Sequence, residues 1–143
     1  MYVVAVVPAL NEEEAIGGVV RDLIGAGIHQ VIVVDNASAD RTSAEAQAAG
    51  ATVVSQPERG YGAACIAGVD AAARADIVVF LDGDATEVIH DLGDMIRAVA
   101  QGPARLALGA RTRQRESLAM PWQQRFGNHL LASLASRLTG VRL

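Results

Sequence analysis

Asp82 and Asp84 stand one glycine apart at the end of the apolar run Val78-Val79-Phe80-Leu81. In an extended or turning segment the side chains at i and i+2 share one side, so both carboxylates can face one point. Two like charges that close are costly unless a cation lies between them or one is protonated. A small set of oxygen ligands suits Mg2+ or Mn2+, which keep waters and take further ligands from phosphate groups. Gly83 lets the backbone turn and admits a ligand closely. The plainer alternative is a solvated Asp-Gly-Asp turn.

Asp35 closes a second apolar run, Val31-Ile32-Val33-Val34, in the same way. There a carboxylate can accept hydrogen bonds from ribose hydroxyls or a base N–H. It can also close an Asx-turn, with Ser38 and Asp40 serving the next helix. Gly60-Tyr61-Gly62-Ala63-Ala64-Cys65 approximates G-x-G-x-x-G with its last glycine replaced. Such a loop can cradle phosphate, or it can be a tight turn that packs a helix closely. Cys65 reads as a small hydrophobe rather than a nucleophile. His29 and His90 lack the ligand spacing of a zinc site.

These residues need a scaffold, and the apolar pattern supplies one. Residues 2–7, 30–35, 52–55, 76–81 and 105–110 read as strands, and 12–26, 40–49, 63–74 and 88–100 as helices. The strand runs are continuous rather than alternating, as in strands covered on both faces. Asp40 and Thr42 are candidate N-caps, and Gly27, Gly50 and Gly102 candidate stops. Strand–helix alternation of this period implies right-handed βαβ units and a mostly parallel α/β sheet with helices on both faces. In such sheets ligands bind beyond the carboxyl ends of the strands. That rim collects Pro8 to Glu12, Asp35 to Asp40, Gln56 to Gly62, Asp82 to Asp84, and Arg111 to Arg113.

Composition sets the outer bounds. A chain of 143 residues, 51% hydrophobic but only 3% aromatic, fits one domain with an aliphatic core. One cysteine excludes an internal disulfide. Neither a secretory leader nor a membrane-spanning run is expected, which points to a cytoplasmic protein, with peripheral membrane attachment as a further option. Residues 1–102 carry fifteen acidic groups against five arginines (−10), and residues 103–143 carry seven arginines against Glu116 (+6), giving the net −4. The basic end suits an anionic partner such as a phosphate or lipid headgroup, or is simply solvated. From Pro121 an amphipathic helix is expected, with Phe126, Leu130, Leu131, Leu134 and Leu138 on one face. It is fit for a membrane surface or for a missing core partner.

Three segments together resemble the family 2 glycosyltransferases of the GT-A fold: residues 7–13 (VPALNEE), residues 34–42 (VDNASADRT) and Asp82-Gly83-Asp84. More narrowly they are similar to dolichol- or polyprenyl-phosphate mannose and glucose synthases, as are Arg59 to Ala64, Gly109-Ala110-Arg111 and Arg125 to Asn128. The resemblance implies a Rossmann-like nucleotide-sugar-binding domain over residues 1–119. Residues 120–143 would then open an acceptor- or membrane-side region, the chain stopping before the family's usual length. It implies that Pro8, Leu10 and Glu12 line the nucleotide pocket, and that Val33 and Asp35 contact base and ribose. Asp82 and Asp84 would hold the divalent cation, with Gly83 near the nucleotide and Arg111 on the donor phosphates. Asp84 and Arg111 would thus be the catalytic groups. The implied reaction is an inverting transfer from a UDP- or GDP-sugar, most naturally to a polyprenyl phosphate. No nucleic-acid partner is expected, and self-association stays open. The family often has an aromatic residue where Leu10 stands, and many relatives have Asp-Asp-Gly-Ser where this chain has Asp35-Asn36-Ala37-Ser38.

Competing readings exist. Asp82-Gly83-Asp84-Ala85-Thr86 also fits the D-x-D-x-T element of haloacid-dehalogenase-like phosphatases, but the motif follows the fourth strand and the chain has no lysine. A dinucleotide-binding domain is disfavoured because the first strand–helix turn lacks G-x-G-x-x-G. A non-catalytic nucleotide-binding module is the third reading.

Overall fold

In the computed structural model, residues 1–84, 89–103 and 105–107 are described. The valine-rich runs form four strands, β1 (Val3–Ala9), β2 (Gln30–Asp35), β3 (Thr52–Ser55) and β4 (Ile77–Phe80). All three pairings are parallel, in the order β3-β2-β1-β4. Helices α1 (Ile16–Gly25), α2 (Thr42–Ala48) and α3 (Tyr61–Ala71) connect successive strands. After β4 the turn Ile89–Asp91 leads into α4 (Leu92–Gln101). Register matches Val7 with Val33 and Val33 with Val53, so equivalent positions of β1, β2 and β3 lie side by side.

Two apolar layers cover the sheet. On one face Val3, Ala5, Val7, Val31 and Val33 pack with Ile16, Val19, Val20 and Leu23 of α1, Ala46 of α2 and Leu92 of α4. On the other face Val4, Val6, Ile32 and Val34 meet Ala64 of α3 and Ala72 at its C-cap. Each fully buried Val, Leu or Ile contributes roughly 1.5–3 kcal/mol through removal from water. The doubly covered α/β sheet is thus as the continuous apolar runs implied.

Helix α3 sits unusually close to the sheet. A Cβ built on Gly68 would lie 2.2 Å from Val6 Cγ1 and 3.1 Å from Val34 Cγ2, so only glycine permits this approach. The small residues of α3 are packing features rather than weak helix formers.

The boundaries differ from expectation in informative places. β1 runs on through Pro8 and Ala9. Tyr2 and Val6 accept from Ile77 and Leu81, so by strand alternation Pro8 faces the β4 side, where β4 has ended. A residue without an N–H is tolerated there. Helix α1 begins at Ile16 rather than Glu12: Glu12 to Ala15 form a turn in which the Glu12 and Glu13 N–H groups donate to Thr42 and Asp40. Helix α3 starts two residues early, at Tyr61. The expected strand over 105–110 is corrected in its first half, since Arg105, Leu106 and Ala107 are irregular; residues 108–110 lie outside the described residues. So does the expected amphipathic helix of residues 120–143. Among the described residues no helix is long and apolar enough to cross a membrane.

Candidate functional site

The strand order reverses at β1: β2 and β3 lie to one side of it and β4 to the other. That reversal opens a crevice beyond the carboxyl ends of β1 and β4, where open α/β sheets bind ligands. The loops after β1, β2, β3 and β4 are tied to one another along this edge.

The loop after β1 is tied to the loop after β2. Asn11 takes a left-handed backbone, φ +57°, which asparagine tolerates. Its N–H donates to Ser38 Oγ (3.0 Å), and its Oδ1 accepts from the Ala39 N–H (2.8 Å). The Glu12 N–H donates to Thr42 Oγ1 at 2.8 Å, and the Glu13 N–H to Asp40 Oδ2 at 3.2 Å. In return the Glu13 carboxylate accepts the Arg41 N–H at 2.9 Å. Thr42, fully buried, also donates through its hydroxyl to Asp40. That bond, with backbone N–H groups of Thr42 and Glu13, holds the Asp40 carboxyl below its ordinary range. Asp40 accepts the Thr42 N–H at 3.0 Å, so it caps α2 while serving the other loop.

Asp35 sits half-buried at the end of β2. Its Oδ1 accepts the Ser38 N–H at 3.1 Å and its Oδ2 the Ser43 hydroxyl at 2.6 Å. Burial pushes this carboxyl up, but the hydrogen bonds from Ser38 and Ser43 outweigh it and hold the group below its ordinary value. Asp35 is therefore an ionised acceptor at neutral pH, with lone pairs left over for a ligand hydroxyl or N–H.

Asn36, buried at 6% exposure, organises the loop before α3. Its amide donates to the carbonyls of Gln56 (3.1 Å) and Glu58 (2.7 Å), and its Oδ1 accepts the Gly60 N–H (2.8 Å). Gly60 adopts φ +152°, a conformation side chains rarely take, and delivers the chain into α3. Tyr61, the first residue of α3, then reaches Asp82 with its hydroxyl, 3.3 Å from Oδ1. Burial, the Asp82 charge and Cys65 push the Tyr61 phenol up to about 12, so it is a proton donor at neutral pH. Burial also pushes the Cys65 thiol up, consistent with an unreactive small side chain.

Beyond β4, Asp82 and Asp84 are exposed while Gly83 between them is buried. A Cβ on Gly83 would lie 3.1 Å from Glu12 Cγ and 3.7 Å from Ala9 Cβ, so the Asp-Gly-Asp turn rests directly on the loop after β1. Two exposed, oxygen-only ligands beside a close-packed glycine fit a divalent cation that takes its remaining ligands from water and phosphate. Among the described residues no three His, Cys, Asp or Glu side chains cluster so as to hold a metal ion.

The family model for "Glycosyl transferase family 2" matches residues 4–140. The chain belongs to this family. An uncharacterised glycosyltransferase of Mycobacterium tuberculosis is 39% identical over 130 residues, which are 91% of this chain and 57% of the relative. A dolichyl-phosphate hexose transferase of Haloferax volcanii is 38% identical over 138 residues, covering 92% of this chain and 57% of that protein. The chain thus spans somewhat over half the length of these curated relatives. Among solved structures, glucosyl-3-phosphoglycerate synthase from Mycobacterium tuberculosis, crystallised with Mn2+, UDP-glucose and phosphoglyceric acid, superposes with a TM-score of 0.64. That match has 31% identity and covers 71% of this chain and 40% of the other. The fold is therefore the GT-A type.

In this family 2 chain the expected site residues separate into groups. Glu12, Gly83 and the flanking Asp82 and Asp84 come together at the β1–β4 crevice, and Leu10 stands exposed beside them in the loop after β1. Asp35 lies on the same edge, across β1. Pro8 is buried in β1 at the reversal point. Val33 is fully buried in the core, with both neighbouring strands paired to it. Arg111 lies outside the described residues. Sequence reasoning missed the roles of Asn36, Ser43 and Tyr61. Their partners lie 24, 8 and 21 residues away, and only for Ser43 is the separation local enough to suggest a turn.

Proposed function

We propose that the protein binds a UDP-sugar across the carboxyl edge of its sheet, with Mg2+ or Mn2+ at Asp82 and Asp84, for hexosyl transfer to a phosphate-bearing acceptor. The observation that carries this reading is the packing of Gly83 against Glu12, which seats both carboxylates at the β1–β4 crevice. UDP is favoured over GDP because the superposing synthase was crystallised with Mn2+ and UDP-glucose.

In this reading Asp35, kept ionised by Ser38 and Ser43, accepts hydrogen bonds from ribose or base, while Leu10 and Glu12 flank the nucleotide. Asp82 and Asp84 would hold the cation, Gly83 would allow the nucleotide close approach, and Arg111 would steady the donor phosphates. The cation, when bound, neutralises charge on the departing diphosphate. The acceptor oxygen forms a bond to the anomeric carbon as the bond from that carbon to the diphosphate breaks, inverting the centre and releasing UDP. A phosphate oxygen is already anionic, so such an acceptor asks no general base of the protein. Polyprenyl phosphate is the favoured acceptor, since the dolichyl-phosphate hexose transferase matches 92% of this chain. The arginines of residues 103–143 suit its headgroup at a membrane surface, with residues 120–143 as the acceptor-side region.

Calorimetry with UDP, GDP and UDP-sugars, with and without Mn2+, tests donor binding. UDP should bind more tightly with Mn2+, and Asp84→Ala should lose that gain, roughly 10-fold or more. Failure of both nucleotides to bind the folded wild type would sink the reading. Incorporation of labelled sugar into a polyprenyl phosphate, compared with phosphoglycerate, decides the acceptor.

A further inference from the structure

We infer that Tyr61 is a positioning residue for the metal-binding carboxylate Asp82, so that the glycine-rich loop serves the cation site rather than a phosphate cradle. The inference rests on the donor-binding reading above and goes beyond it by assigning a residue that the motif itself does not name.

The geometry is a relay of two hydrogen bonds joined by a backbone turn. Asn36 at the end of β2 fixes the Gly60 N–H at 2.8 Å. Gly60, at φ +152°, turns the chain so that Tyr61 opens α3. The Tyr61 ring then carries its hydroxyl over to the end of β4, where it donates to Asp82 Oδ1 at 3.3 Å. Asp82 receives no other side-chain hydrogen bond among the described residues. The carboxylate follows the short strand β4 and is itself exposed. A donor on Oδ1 leaves Oδ2 to a cation and restricts the carboxylate to orientations that face the crevice. Hydrogen bonds behind metal ligands act in this way in general, fixing orientation before the ion arrives. The distance is long for an O–H···O bond, and such contacts tighten when the ligand's partner is bound. Tyr61 keeps 60% of its surface exposed, so its hydroxyl is not spent on core packing. The N–H of Gly60, by contrast, is consumed by Asn36, which takes one donor away from any phosphate nest in this loop.

Tyr61→Phe removes the hydroxyl and keeps the ring. The experiment measures free Mn2+ by electron paramagnetic resonance during titration of the protein with UDP present, beside calorimetry of UDP without metal. Expected for Tyr61→Phe is Mn2+ affinity roughly 10-fold weaker, the lower end for loss of such a bond, with metal-free UDP affinity and melting temperature unchanged. Wild-type Mn2+ affinity in Tyr61→Phe would overturn the inference while leaving the donor-binding reading intact. An equal loss with and without metal would also overturn it, because the tyrosine would then be touching the nucleotide. If the wild type itself shows no metal-dependent UDP binding, the donor-binding reading falls and this inference with it.

Discussion

The side chain of Asn36 and the backbone of Gly60 are joined by a 2.8 Å hydrogen bond that couples the end of β2 to the start of α3. The same amide donates to the carbonyls of Gln56 and Glu58, so every strong hydrogen-bonding group of this buried side chain is engaged. A carboxylate at this position could accept from Gly60 but could not donate to either carbonyl. Asn36 thus acts as a structural clamp between the two loops.

Asn36→Asp should therefore destabilise the protein. Two carbonyls in part-buried hydrogen bonds lose their donor and face a negative charge, at a cost of about 1–3 kcal/mol. Urea unfolding at neutral pH measures it, and a variant as stable as wild type would contradict the clamp.

Gly68→Ala tests the close contact of α3 with β1. A methyl 2.2 Å from Val6 Cγ1 forces the helix or the valine to move. Overpacking of this kind costs about 3 kcal/mol. Combining it with Val6→Ala should be less destabilising than the sum of the two single variants, because the smaller side chain makes room.

Ala37 occupies a left-handed conformation, φ +64°, where many relatives carry glycine. An L-residue there pays roughly 1–2 kcal/mol, partly offset by the extra freedom glycine gives the unfolded chain. Ala37→Gly should raise stability by about 0.5–1 kcal/mol, seen as a higher urea midpoint with unchanged slope.

Asp35 sets a pH dependence with a definite sign. Its folded carboxyl lies below the ordinary value of 3.8, so the stability it contributes is present above that value and is lost as pH falls through the folded one. Asp40 acts in the same direction. Ser43→Ala removes the 2.6 Å bond to Asp35. It should lower stability at neutral pH by about 1–2 kcal/mol and shrink the loss seen on acidification. Urea unfolding between neutral pH and the acid range checks both effects. A Ser43→Ala variant that loses stability equally at every pH would show that the bond does not act on the ionised carboxylate.

Much of the architecture was legible from local pattern. The runs Val31 to Val34 and Val3 to Val7 are continuous because both sheet faces are covered, and that continuity together with the strand–helix alternation implied a parallel sheet. The carboxylates Asp35, Asp82 and Asp84 announced themselves by following such runs, and Gly60 by standing before a helix. Helix starts were less legible. The turn over Glu12 to Ala15 is held by Thr42 and Asp40, whose proximity no local propensity encodes.

The sequence by itself determined which residues would gather on one edge, because in a parallel sheet every strand delivers its following loop to the same side. It did not determine which of them would touch. Strand order placed β4 beside β1 and set Gly83 against Glu12. The buried Asn36 aimed Tyr61 at Asp82, and core packing withdrew Val33 from the surface. Those are contacts between segments separated by twenty residues or more, or choices of sheet face, and both are settled only when the strands pair and the helices dock.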